Sequence, residues 1–271
     1  MLFVAIFRRS YDYPADTPSF ALGDPQACSH FVANGWVLVD TLSPAQVDQV
    51  SNWIHELSRW PDTGGDWLHY REMTDTGPKL CRTENFVPFH AGLRELLTSG
   101  PLLETASTLL GQPGVLYKEK VNYKLAGGAG YAPHQDAPAY PFISAHISCL
   151  VAVDDADLSN GCLEVVSGMH HELIETNSVG CIPEEVANTL RWIPAPVRAG
   201  QTLWFHSLTP HRSGTNTSTS DRRSLYPTFN AAAEGDLRHA YYREKLRRMA
   251  TATVGDNVQV SLIGDFQGRP V

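Results

Sequence analysis

The sequence of 271 residues has no CxxC pair, no Lys/Arg-rich block, no internal repeat and no apolar run long enough to span a membrane. Each absence removes a class of protein. The five cysteines (Cys28, Cys81, Cys149, Cys162 and Cys181) are odd in number and scattered. That excludes a disulfide framework and a cysteine zinc site, and leaves reduced thiols in a cytoplasmic protein as the expectation. A formal charge of −8 without a basic patch argues against nucleic acid or an anionic membrane as partner, so a small molecule is expected instead. The apolar run Met1–Phe7 is too short for a signal-peptide core, and Arg8 and Arg9 follow it where a signal would place them before. No linker divides the chain, so one domain over residues 1–271 is predicted, as a monomer or homodimer.

What is present changes character near residue 113. Residues 1–25 carry Pro14, Pro18, Gly23 and Pro25 without a period and read as an extended arm. Asn34-Gly35 then turns into the apolar run Trp36–Val39. Ser43-Pro44-Ala45-Gln46 combines an N-cap, a first-turn proline and a capping-box glutamine, followed by Val47, Val50, Ile54 and Leu57 at helical spacing. His90–Thr98 and Pro101–Gly111 also read as helices, so the segment of about 26–112 is the helical part. Over about 113–231, short β-rich runs (Val115–Leu125, Ala145–Val153, Cys162–Val166, Thr202–Phe205, Ser224–Phe229) alternate with Gly, Asn, Asp and Pro, with one helix-like insertion at Pro183–Leu190. The fold class is mainly β with flanking helices. A last segment, about 236–249, carries Leu237, Tyr241, Leu246 and Met249 as a loose apolar stripe and reads as a surface helix.

Within the β-rich half, His134-Gln135-Asp136 sets an imidazole and a carboxylate two residues apart, on the same face of an extended strand. His211 follows far downstream, after the strand-like Thr202–Phe205. Two histidines and one carboxylate converging in a barrel form a facial triad that suits Fe(II) and keeps coordination positions open. Arg222 lies eleven residues beyond His211 at the start of a strand-like run. Its planar guanidinium suits the distal carboxylate of a 2-oxoacid such as 2-oxoglutarate. Period-two alternation allows only one of Arg222 and Arg223 to point inward.

These residues, together with Asn160-Gly-Cys-Leu163 leading to Ser167-Gly-Met-His170, then Gly200–His206 and His211–Asn216 in order, resemble the phytanoyl-CoA dioxygenase (PhyH) family from about Phe31 to Phe229. The resemblance implies a double-stranded β-helix (a cupin-like jelly roll), Fe(II), O2, and 2-oxoglutarate as co-substrate. By motif, His134, Asp136 and His211 match the iron ligands, Arg222 the arginine holding the oxoglutarate tail, and Ser213 the hydroxyl that assists it. Lys120 falls where the family has a co-substrate contact, and Leu150 where some members carry an aromatic residue. Two loops depart from the pattern: Ser167-Gly-Met-His170 stands for Pro-Gly-Ser-His, and Leu125-Ala126 for Pro-Pro. The implied reaction is decarboxylation of 2-oxoglutarate to succinate and CO2 coupled to oxidation of a substrate C–H. With Asp136 in place, hydroxylation or a related oxidation is expected rather than halogenation.

Substrate contacts are expected from the run Tyr117–Lys124 and the loop Ala137–Tyr140. Lys118, Lys120, Asn122 and Lys124 share one strand face, which either meets an anionic ligand or is a solvated outer face. Candidate substrate residues are Lys118, Asn122, Tyr140, His146 and Arg82, although for His146 a buried structural histidine is the role favoured over substrate contact. The polar, aromatic stretch Asp66–Glu84 reads as a surface loop or a lid. A small polar compound fits, such as an aminoalkylphosphonate or a secondary-metabolite intermediate. Two other classes stand beside this one. A non-catalytic β-helix module would show a damaged triad or lack the arginine, and a cupin-like metal enzyme independent of 2-oxoglutarate would have no need of Arg222.

Overall fold

The computed structural model describes residues 17–62, 66–140, 142–144 and 146–251. In chain order the elements are β1 (Ser19–Ala21), α1 (Pro25–Asn34), β2 (Trp36–Asp40), α2 (Pro44–Leu57), β3 (Leu68–Thr74), β4 (Gly77–Glu84), α3 (Ala91–Thr98) and α4 (Gly100–Leu110). There follow β5 (Gly114–Lys124), β6 (Tyr131–His134), β7 (His146–Ala152), β8 (Leu163–Val165), α5 (Glu184–Ala187), β9 (Ile193–Ala195), β10 (Gln201–His206), β11 (His211–Ser213), β12 (Arg222–Ala231) and α6 (Arg238–Thr251).

Local chemistry explains the helix boundaries. Asp24 caps α1 by accepting the Gln26 N–H at 2.8 Å, with Pro25 in the first turn. Ser43 and Gln46 close a capping box on α2, the Gln46 side chain accepting the Ser43 N–H at 2.9 Å. Gly35 ends α1 at φ 79°, and a Cβ there would meet the His170 ring at 2.4 Å. Only glycine satisfies both demands.

Eight strands form one sheet in the order β1-β2-β10-β7-β12-β5-β4-β3, and four form a second in the order β6-β11-β8-β9. This is the double-stranded β-helix expected from the sequence. The two faces of the large sheet divide by residue parity. On β7, Ile147, Cys149 and Val151 join Val50, Ile54 and Leu57 of α2, Leu93 and Leu97 of α3 and Leu102 of α4 in one apolar cluster. Leu150 and Ala152 instead meet Leu163 and Val165 of the small sheet, together with Trp36, Leu38, Leu203 and Phe205. The site lies between the sheets, on that second face.

Three expectations are corrected. The described part of the arm holds β1 and the start of α1, and residues 1–16 lie outside the described residues. The stretch Asp66–Glu84 is neither surface loop nor lid. Its β3 and β4 form a hairpin around Thr74–Gly77 that pairs β4 with β5, placing Arg82 opposite Asn122 and Glu84 opposite Lys120. The C-terminal segment is a helix laid against the barrel, as expected, with His239, Arg243 and Arg247 exposed on its outer face. Tyr241, Tyr242 and Lys245 of α6 are buried, while the Met249 side chain lies outside the described residues. The helix-like insertion is also shorter than expected, one turn at α5.

Helix α6 is fixed by buried charge. Glu119 is fully buried on the outward face of β5. It accepts from Arg238 Nε at 3.0 Å and Nη2 at 2.6 Å, and from the Val87 N–H at 3.0 Å. Removing one partner of such a pair leaves an uncompensated buried charge. Arg238→Ala is therefore expected to lower the unfolding free energy by about 3–5 kcal/mol in urea titration. A loss below about 1 kcal/mol would show that the pair does not hold the helix.

Candidate active site

His134 ends β6 and His211 opens β11, and the two residues face each other directly in the antiparallel register. Asp136 follows β6 by two residues. One ligand atom from each of the three comes within 4.8 Å of the other two, with His211 Nε2 4.0 Å from Asp136 Oδ1. The tautomers follow from the backbone. His134 Nδ1 lies 2.7 Å from the Ala132 carbonyl and His211 Nδ1 lies 3.0 Å from the Thr209 carbonyl. A carbonyl only accepts, so both Nδ1 atoms carry the proton and both Nε2 lone pairs are free for a metal. Asp136 Oδ2 accepts from Ser148 Oγ at 2.5 Å, which leaves Oδ1 on the histidine side.

Electrostatics support ligation. Burial, reinforced by His211, depresses His134 to about 3, and burial also lowers His211, so both rings stay neutral. For Asp136 burial acts in the opposite sense, but the neighbouring His211, His134, Lys120 and Lys118 outweigh it and hold the carboxyl below its ordinary range. Two neutral imidazole nitrogens and one carboxylate fit Fe(II), and no thiol stands among them.

Behind the triad, the inward side chains stack in layers set by the pairing of β12 with β5 and β7. Lys118, Thr228 and Ser148 lie opposite one another, and toward Arg222 come Lys120 with Tyr226, Asn122 with Ser224, and Lys124 with Arg222. The basic face of β5 is thus an inner wall and not a solvated outer face: Lys118, Asn122 and Lys124 are buried. Arg222 points inward, its Nη1 donating to Ser224 Oγ at 2.6 Å and its Nη2 to the Gly161 carbonyl at 3.0 Å. Arg223 points outward and is held by Asp154 through two bonds of 2.7 and 2.9 Å. Alternation has selected Arg222.

The space between the sheets forms two lobes. One, with an empty volume of about 440 Å³ counting its open mouth, is lined by the triad and by Lys120, Asn122, Tyr140 and Ser148. The other contains Arg222, Ser213 and Lys124, and Asn122, Tyr131 and Tyr226 are common to both. Ser213 Oγ accepts from Lys124 Nζ at 3.0 Å. Leu150 is fully buried in the apolar floor and is not among the residues lining the triad lobe. Arg82 is committed to Asn122 (3.0 Å), to Tyr131 (2.8 Å) and to Glu84. His146 is buried with both ring nitrogens unpartnered, its ring 5.0 Å from that of Tyr140.

Several neighbours escaped the sequence reading. Ser148 and Thr228 gave no motif, though their strand parity with His146 and Arg222 would have placed them inside. Glu84 and Lys245 needed the hairpin and the docking of α6, which composition did not reveal, and Tyr131 of β6 gave no motif.

Fold and donor set together define the class: this is an iron(II)- and 2-oxoglutarate-dependent dioxygenase. Comparison with known proteins gives the family. Residues 31–224 match the model of phytanoyl-CoA dioxygenase (PhyH), and the chain belongs to that family. It is 46% identical over 236 residues to the methylphosphonate hydroxylase of Gimesia maris, covering 86% of this chain and 91% of the relative. It is 38% identical over 218 residues to a 2-aminoethylphosphonate dioxygenase from an uncultured bacterium, covering 78% and 83%. Among solved structures, EctD from S. alaskensis with 2-oxoglutarate and 5-hydroxyectoine superposes with a TM-score of 0.67 at 16% identity, covering 82% of this chain and 80% of that one. The epimerase SnoN, in complex with Fe3+, alpha ketoglutarate and nogalamycin RO, gives 0.67 at 20% identity, covering 91% and 94%. Both share the fold. No helix among the described residues is long and apolar enough to cross a membrane.

The Ser148–Asp136 bond orients the carboxylate from outside the donor set, a type of contact whose loss typically weakens metal affinity about 10- to 100-fold. Ser148→Ala is expected to weaken Fe(II) binding by about that factor in anaerobic titration. Unchanged affinity would show that Asp136 needs no support.

Proposed function

We propose that the chain hydroxylates a C–H of a small alkylphosphonate, with His134, Asp136 and His211 holding iron and Arg222 receiving the distal carboxylate of 2-oxoglutarate. The observation that carries this reading is the inward row Lys118, Lys120, Asn122 and Lys124. It gives the interior a cationic wall in an otherwise acidic protein. The names of the two phosphonate-oxidising relatives support the same substrate class, and a lobe of about 440 Å³ lies near the lower end of the ~300–1,000 Å³ usual for ligand sites.

When bound, iron(II) with 2-oxoglutarate supplies the oxidation: one O2 is divided so that 2-oxoglutarate becomes succinate and CO2 while the substrate C–H becomes C–OH. The chain's own residues perform orientation. Arg222, fixed by Ser224 and Gly161, presents a guanidinium to the oxoglutarate tail, with Ser213, Lys124 and Tyr226 around the same lobe. Lys120, over the Tyr226 ring at 5.1 Å, lines the triad lobe. Phe205 and Leu163 cover the triad side with apolar surface and exclude water there. A cupin-like enzyme independent of 2-oxoglutarate would leave the inward placement of Arg222 without use.

Aerobic incubation with Fe(II), 2-oxoglutarate and either methylphosphonate or 2-aminoethylphosphonate is expected to give succinate and a hydroxylated phosphonate in equal amounts, read by 1H NMR for succinate and 31P NMR for the phosphonate. Failure of both phosphonates to stimulate succinate release would overturn the substrate class. Asp136→Ala is expected to abolish turnover. Arg222→Ala is expected to raise the KM for 2-oxoglutarate about 10- to 100-fold, the equivalent of a charge-assisted bond worth about 1.5–3 kcal/mol.

A further inference from the structure

Of the four polar residues in the inner row of β5, two are engaged by neighbours: Lys124 donates to Ser213 and to the Gly161 and Gly214 carbonyls, and Asn122 accepts from Arg82. Lys118 makes no hydrogen bond or ion pair to any described residue. Its ammonium instead lies 4.5 Å from the centre of the Tyr140 ring and 5.8 Å from that of Tyr241, and the residue is only 6% exposed.

The surrounding carboxylates, Glu84 and Asp136, favour its charge only from a distance, because each is engaged elsewhere. Glu84 is held by Lys245 at 2.5 Å and by Arg82 at 3.4 Å, and Asp136 faces the two histidines. A buried cation without a counter-charge is costly to keep, so its retention calls for an anion supplied from outside the chain.

Position says which anion. Lys118 pairs in register with Thr228, and Thr228 with Ser148, whose hydroxyl bonds Asp136. Lys118 therefore stands in the layer nearest the metal donors, whereas Arg222 stands six residues away along β12, about 20 Å at a strand's rise per residue. A diacid whose tail carboxylate is held by Arg222 does not also place that carboxylate at Lys118, six register positions away. His146, with two unpartnered buried ring nitrogens against the same Tyr140 ring, adds a hydrogen-bonding group on that side.

Resting on the phosphonate reading above, we propose that Lys118 is the substrate-selecting residue. It binds the phosphonate headgroup beside Tyr140, at the wall of the triad lobe that Tyr140, Ser148 and Thr228 line. The geometry separates two anion positions along one strand: Lys118 for the substrate headgroup and Arg222 for the co-substrate tail. Helix α6 belongs to the first, through Tyr241 and through the Lys245–Glu84 pair that keeps Glu84 from neutralising Lys118.

The test is anaerobic calorimetric titration of the Fe(II)- and 2-oxoglutarate-loaded protein with methylphosphonate, with a parallel titration of 2-oxoglutarate into the Fe(II) form. Lys118→Met is expected to weaken methylphosphonate binding about 10- to 100-fold while leaving 2-oxoglutarate affinity within about twofold. Lys118→Arg is expected to retain most of the methylphosphonate affinity, and Arg222→Ala to show the reverse split. Thermal unfolding supplies a second readout. Because Lys118→Met removes an unpaired buried charge, its Tm in the absence of ligands is expected to equal or exceed that of the wild type, whereas a structural lysine would lower it. Wild-type binding of methylphosphonate with no loss in Lys118→Met overturns the assignment of Lys118 and leaves the phosphonate reading standing. No binding of methylphosphonate or 2-aminoethylphosphonate by the wild type overturns the phosphonate reading, and this inference with it.

Discussion

The pairing of β12 with β5 in the large sheet is the constraint on which the site depends. Side chains alternate across a strand, so a one-residue slip would carry every inward group to the helix-covered face. In the observed register Lys124, Asn122, Lys120 and Lys118 stand opposite Arg222, Ser224, Tyr226 and Thr228. Their odd-even neighbours Val121, Tyr123, Leu225 and Phe229 pack beneath the helices. That outer cluster pins the register, because slipping would bury lysines against Ile54 and Leu97. The apolar face of the sheet thereby places the polar one. The irregularity between Thr228 and Phe229 falls just past the last inward pair, where Tyr117 joins the Tyr140–Tyr241 cluster at the end of the barrel.

A row of cations inside a protein carries an energetic penalty that neighbouring groups must offset. The structure handles its charges unequally. Glu84 is shared between Arg82 and Lys245, and burial, which would raise its pKa, is outweighed by Lys245, Arg82 and Lys118, so it remains ionised, at about 2. Lys118 receives no such partner, and burial lowers it to about 8 even with Glu84 and Asp136 nearby. The contrast divides charges that hold elements together from charges that face the ligand space. Arg238–Glu119 and Lys245–Glu84 join α6 to β5 and β4. Lys118 joins nothing.

How much of this was legible in the sequence follows from how each feature is encoded. The triad was, because His134 and Asp136 stand at a fixed spacing and His211 and Arg222 recur at a set interval downstream, although Asp136 lies just beyond β6 in a helical-region conformation and not on the extended strand the spacing suggested. Alternation also required one arginine of Arg222-Arg223 to face inward, but only Asp154, remote in sequence, shows that Arg223 is the one turned out. The inner face of β5 was ambiguous for a physical reason: three lysines on alternate positions describe a solvated strand and a cationic cavity wall equally well, and burial is a property of the partner strands. The β3–β4 hairpin was missed because its polar residues face the interior, where composition rules expect apolar ones. Helix α6 was legible from its apolar stripe, but its ion-pair anchors were not, because the partners of Arg238 and Lys245, Glu119 and Glu84, are more than a hundred residues away in sequence.

That difference in encoding bears on how one fold serves many substrates. The motif residues occupy the triad and the Arg222 layer, to which the proposed function assigns iron and 2-oxoglutarate, the parts common to every reaction of the class. The layer of Lys118 draws instead on Tyr140 from a loop, His146 from β7, Glu84 from the β3–β4 hairpin and Tyr241 from a C-terminal helix, none bound by a motif. Those elements can change without disturbing the donor atoms, because the outer apolar cluster fixes the β5–β12 register independently of them. Buried ion pairs suit this arrangement better than apolar contacts would. They add little net stability over a well-packed hydrophobic substitute, but Lys245 must find Glu84, and Arg238 must find Glu119, for either charge to be tolerated. Helix α6 therefore docks in one orientation, and Tyr241 is brought to the Lys118 ammonium as a consequence.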